Sequence, residues 1–91
     1  MKLKEGIIIS EINGEFVAVP SGKASKSFNG MIRMNKTAAL IVKMLQNGAS
    51  EQEVVDAICQ DYDVSMDIAR EDYAAVIAQF EQLNLVDHEG K

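Results

Sequence analysis

The stretch Ile32–Leu45, IRMNKTAALIVKML, decides how the rest of the chain is read, because two kinds of periodicity meet in it at one asparagine. From Met31 to Met34 the sequence alternates by two, which puts Ile32 and Met34 on one face of a short strand and Met31 and Arg33 on the other. From Lys36 to Asn47 the period becomes helical, with Leu40, Ile41, Met44 and Leu45 on one face. Asn35 stands at the joint. A lone asparagine there fits a helix N-cap, whose side chain accepts from a free amide of the first turn, far better than a catalytic amide. Gly48 supplies the left-handed residue that ends the helix.

Upstream, GIII and FVAVP read as two β runs joined through SEINGE, where Asn13-Gly14 marks a tight hairpin turn. PSGKASKSFNG, residues 20–30, reads as a loop with Phe28 as its one large apolar anchor. Downstream, Ser50 and Glu53 form a capping box, and Val54, Val55, Ile58 and Tyr62 make the apolar side of a second helix. After the link DYDV, Ser65 caps a third helix of about 19 residues, roughly 28 Å long. On it Ala69, Tyr73, Val76, Ile77, Phe80 and Leu83 form one stripe. Asn84 is a left-handed stop, after which Leu85 and Val86 pack back under the helices. The order is β-β-β-α-α-α. This is an α+β domain of winged helix-turn-helix architecture, a three-stranded antiparallel sheet followed by three helices. One domain spans 1–91: hairpin and third strand 3–34, three-helix part 35–86, polar tail 87–91.

Length and composition narrow the chemistry. A chain of 91 residues buries only about 60–65% of its unfolded surface, which argues against an enclosed active site. Apolar residues at 47% and charged ones at 25% are an ordinary globular balance. With Cys59 as the single cysteine, neither an internal disulfide nor a Cys-based zinc site can form within the chain, which fits a reducing, cytoplasmic setting. The N-terminal apolar run is only Ile7–Ile9, with Glu5 and Glu11 beside it, so no signal peptide or membrane span is read. Charge is divided: residues 1–43 carry seven Lys/Arg and three Glu, residues 44–91 two Lys/Arg and eleven Asp/Glu. The acidic half repels phosphate backbones.

No catalytic set emerges. His88 sits alone in the polar tail, and Cys59 has Asp56, Asp61 and Asp63 near it in sequence, which disfavours a reactive thiolate. The carboxylates recur on helix surfaces and in first turns, where solvation and the helix dipole account for them. Ser65-Met66 at a helix start brings an acyl carrier to mind, but Val64 precedes the serine where such carriers have an aspartate, and the strands do not belong in that fold. What is left is a surface that binds. A strand such as Met31–Met34 at a sheet edge offers unpaired backbone groups to an extended peptide; an unused, solvated edge is the plain alternative.

The segment Ile32–Val86 resembles the PqqD family, small peptide chaperones of ribosomal peptide modification, also described as RiPP recognition elements. The likeness runs through a strand ending in MN, TAALIVKMLQNGAS, EQEVVDAICQDYDVS and AREDYAAVIAQFEQLNLV. GEFVAVP…FNG extends it to nearly the whole chain. Asn84 stands where the family usually has Gly, and Tyr73 where a branched aliphatic is usual.

The resemblance implies a non-enzymatic protein without a cofactor of its own. It would bind the leader of a precursor peptide and present it to a modifying enzyme, often a radical SAM iron–sulfur enzyme. Pyrroloquinoline quinone biosynthesis is one such setting among many. The leader is expected as an added strand on the third strand, in a groove against the third helix. Carried onto this chain, that means Met31, Ile32, Arg33 and Met34 with Arg70, Tyr73, Ala74 and Ile77. The protein is expected as a monomer or homodimer, and two other readings compete: a structural or dimerisation subunit, and a winged-helix DNA-binding regulator. The last conflicts with C-terminal helices whose one basic residue is Arg70.

Overall fold

The computed structural model describes residues 2–87, so His88 and the rest of the tail lie outside the described residues. The elements run β1 (Lys2–Leu3), β2 (Ile7–Ile12), β3 (Glu15–Pro20), α1 (Ala24–Ser27), β4 (Ile32–Met34), α2 (Lys36–Gln46), α3 (Glu51–Tyr62), α4 (Met66–Gln82) and β5 (Val86–Asp87). The expected third strand is β4 and the expected third helix α4. An antiparallel sheet in the order β2-β3-β4 is followed by three helices, the α+β arrangement read from the sequence.

The hairpin closes where Ile12 faces Glu15, leaving a two-residue turn in which Asn13 and Gly14 have φ of 54° and 82°. Both signs are what a type I′ turn requires and what Asn-Gly adopts at low cost. β3 then pairs with β4 through Phe16–Met34, Val17–Arg33 and Ala18–Ile32. Cross-strand partners share a face. Ile7, Ile9, Ala18, Ile32 and Met34 therefore look toward the helices, while Ile8, Ile12, Val19 and Arg33 look outward.

Caps set the helix boundaries. The Asn35 side chain accepts from the Ala38 amide at 2.8 Å, so Asn35 is punctuation between strand and helix. At Ser50 both halves of the capping box are made, Glu53 N–H to Ser50 Oγ at 3.2 Å and Ser50 N–H to Glu53 Oε1 at 2.8 Å. Ser65 accepts from the Ile68 amide at 3.2 Å. α2 and α4 end alike: Gly48 (φ 82°) and Asn84 (φ 60°) turn left-handed, and the following amides of Ala49 and Leu85 reach back to the carbonyls of Met44 and Phe80.

The structure departs from the sequence reading in four places. Residues 20–30 are not all loop, since α1 makes one short helical turn whose Ala24 is completely buried. β4 begins at Ile32, with Met31 exposed just before it. α4 has 17 residues rather than about 19, because the turn through Asn84 stops it at Gln82. β1 and β5 pair as a second small sheet, Lys2 with Asp87 and Leu3 with Val86, so the expected polar tail starts after Asp87. Two-residue strands carry no period, which is why they left no sequence signal.

One core joins all layers. Phe80, Ile41, Ile58, Leu85, Val42, Val54 and Val55 are its largest fully buried side chains, supplied by all three long helices and the segment after α4. α2 lies between the sheet and the other helices, α3 packs on α4, and β1 closes over α2. Among the described residues no buried side-chain nitrogen or oxygen lacks a partner. No described helix is long and apolar enough to cross a membrane.

Candidate functional site

β4 is an edge strand: β3 occupies one side and, among the described residues, no strand the other. A strand in that position keeps half of its backbone N–H and C=O groups unpaired. Across the open edge lies α4, and between them runs a cleft of about 270 Å³. Arg33 and Met34 form its strand wall, Thr37, Ala38 and Ile41 of α2 its floor, and Asp72, Ala75, Val76 and Gln79 its helix wall. Ile41 is fully buried and Val76 nearly so, which makes the bottom apolar. The small side chains of Ala38 and Ala75 are what leave space there. Arg33 and Asp72 put opposite charges on the rim.

The strand half of the expected site is thus next to the cleft. Arg33 and Met34 line it directly, Ile32 is buried beneath the sheet, and Met31 is 58% exposed just before the strand. The helix half is placed elsewhere. None of Arg70, Tyr73, Ala74 and Ile77 lines the cleft; Arg70 and Ala74 are exposed, Tyr73 is buried and Ile77 is half-buried against the core. At about 100° per residue, Arg70, Ala74 and Ile77 lie on one flank of the buried stripe Ala69–Tyr73–Val76–Phe80, and Asp72, Ala75 and Gln79 on the other. Tyr73, within the stripe, feels the start of α3. Burial and the Glu51 carboxylate at the start of α3 push its phenol above its usual value. Asp72, Ala75, Val76 and Gln79 have the same i, i+3, i+4, i+7 spacing, but a helix with a two-sided flank does not state in sequence which flank meets a strand.

Other candidates stand apart from the cleft. Cys59 is half-buried in α3, and no group of three or more His, Cys, Asp or Glu among the described residues is arranged to hold a metal.

The family model of Coenzyme PQQ synthesis protein D (PqqD) matches residues 7–86. The chain belongs to the PqqD family. Its fold is similar to that of TbiB1 in complex with the TbiA(beta) leader peptide, with a TM-score of 0.75 and 22% identity over 100% of this chain and 98% of that one. It is similar also to lasso peptide synthetase B1 complexed with the leader peptide, with a TM-score of 0.74 and 24% identity over 96% of each chain. No curated protein sequence matches the chain. The PqqD match spans the whole sheet of β2–β4 and all three long helices, and so takes in both walls of the cleft.

Proposed function

We propose that this PqqD-family chain is a non-catalytic peptide-binding module. The leader of a ribosomally made precursor pairs with the open edge of β4, lies in the cleft against α4, and is presented there to a modifying enzyme, in our reading a radical SAM iron–sulfur enzyme. The observation that carries the proposal is the edge strand facing a helix across an apolar-bottomed cleft. Backbone pairing gives affinity that tolerates sequence variation, and a side chain entering between Ala38 and Ala75 gives selection. Both structural neighbours are complexes with leader peptides, which supports the same reading. The peptide pairs with the backbone of Ile32–Met34, just after Met31, and meets the side chains of Arg33 and Met34 on the strand and of Asp72, Ala75, Val76 and Gln79 on the helix. Ordering a flexible leader costs entropy, so the expected affinity is about micromolar, near −8 kcal/mol.

The test is calorimetric titration with synthetic leaders from short reading frames encoded beside the gene, each against its scrambled version. One leader should give a saturable one-to-one isotherm. Ala75→Trp fills the cleft from an exposed helix position and should weaken that binding at least ten-fold with an unchanged melting temperature. Equal affinity in the A75W chain would place the peptide elsewhere.

A second reading, self-association as a structural subunit, draws on the outward sheet face, where Ile8, Ile12 and Val19 are 54%, 53% and 38% exposed beside the open edge of β2. Sedimentation without peptide separates the two: a concentration-dependent dimer lost on Ile8→Lys would favour it.

A further inference from the structure

The peptide cleft does not end at β4. Met34 and Asn35 line it and also form one wall of a second, larger crevice of about 650 Å³, whose other walls are Glu11, Glu15, Phe16 and Lys36. The register explains why it exists. β4 stops at Met34, opposite Phe16, while the hairpin continues through Glu15 to its turn at Asn13–Gly14. The hairpin tip therefore overhangs the end of β4, and among the described residues no strand pairs with β3 beyond Phe16 on that side.

Phe16 is the residue this overhang leaves unfinished. Its partners Glu11 and Met34 put it on the helix-facing side of the sheet, where Ile7, Ala18 and Ile32 are buried in the core. Met34 packs against that core, whereas Phe16 on the same face is only half-buried. The Lys43 ammonium lies 5.7 Å from its ring centroid. An aromatic ring turned toward the interior yet only half-buried keeps apolar area in water, which burial by another apolar group would stabilise.

We propose that Phe16 and the crevice under the hairpin tip are a second subsite of the precursor peptide. This rests on the peptide-binding reading above and extends it. A peptide paired with β4 and running toward the end of that strand passes over Met34 and Asn35, and the next large apolar side chain it carries enters the crevice and packs on the Phe16 ring. The occupant is an aliphatic or aromatic side chain, since Phe16 and Met34 give it an apolar floor while Glu11, Glu15 and Lys36 stand around it with both signs of charge. The subsite thus selects precursors by an apolar residue outside the paired segment.

The chain contains no tryptophan, so Phe16→Trp installs a single indole at the subsite, excited at wavelengths where Tyr62 and Tyr73 do not absorb. With a synthetic leader that binds the native chain, the F16W indole should shift to the blue and lose its quenching by acrylamide. Phe16→Ala should weaken that leader roughly ten-fold or more at unchanged stoichiometry. An alanine scan of the leader should find one apolar position whose replacement weakens binding to the native chain and no longer matters in F16A. A leader that binds F16A as tightly as the native chain, with F16W emission unmoved at saturation, overturns the subsite and leaves the cleft standing. Failure of every leader to bind the native chain overturns the peptide reading, and the subsite with it.

Discussion

Tyr73 and Asn84 each occupy a position with a definite physical requirement, and each yields a measurable consequence. The Tyr73 ring is buried, and its phenol is raised above the ordinary value of 10.0, first by burial and then by Glu51. The folded chain therefore holds this proton after the unfolded chain has lost it. Stability on this account is complete below about pH 10 and falls as the pH rises from there toward the folded value. Tyr73→Phe removes that dependence, so urea unfolding at about pH 9 and pH 11 should show a smaller alkaline loss in Y73F than in the native chain. Asn84, at φ 60°, ends α4 in the left-handed region. Asn84→Ala should cost about 1 kcal/mol in denaturant unfolding, whereas Asn84→Gly, the residue usual in the family, should cost nothing or add a little stability. Equal losses in N84A and N84G would contradict the capping role. The caps at Asn35, Ser50, Ser65 and Asn84 were all legible in the sequence, because each depends on neighbours within a few residues. The left-handed turn at Asp63, φ 52°, was not, since nothing in DYDV distinguishes a helix stop from a linker.

β4 is the element on which the functional reading rests. It has three residues, pairs on one side only among the described residues, and has its open edge beside α4. Strand addition makes a specific prediction: amides of Ile32–Met34 that exchange with solvent in the free chain should become protected when a leader binds. Those of the other open edge, on β2, should not change. Protection on β2 alone would move the peptide to the opposite side of the sheet. α4 shows where an element's sequence stops being informative. Its buried stripe was readable at 3.6-residue spacing, and Ala69, Tyr73, Val76 and Phe80 are all buried as that stripe requires. Its flanks look alike in sequence, each with a charged residue, an alanine and a larger side chain. Which flank meets β4 depends on how α4 crosses α2 and α3, and the crossing puts Asp72, Ala75 and Gln79 at the cleft.

At the scale of the molecule, the ends of the described chain are drawn together by β1 and β5 beside α2. Leu3 is 5% exposed there and faces Val86, and the Lys4 amide donates to the Leu85 carbonyl at 2.9 Å. Leu3→Ala should therefore cost about 2–4 kcal/mol, well beyond what a terminal position suggests. The melting temperature should fall by roughly 4–8 °C for each kcal/mol lost. An unchanged melt would show that β1 contributes no packing. The sequence by itself determined the hairpin turn, the caps, the helix stripes, the order of the long elements and the family resemblance. Each of these is set by local backbone preference or by the period of apolar residues along one element. Only the tertiary structure decided the pairing of β1 with β5, the flank of α4 that faces the open strand, and the overhang that leaves Phe16 beside a crevice. These depend on distances between residues far apart in the chain, fixed by how whole elements pack, and no local pattern encodes them.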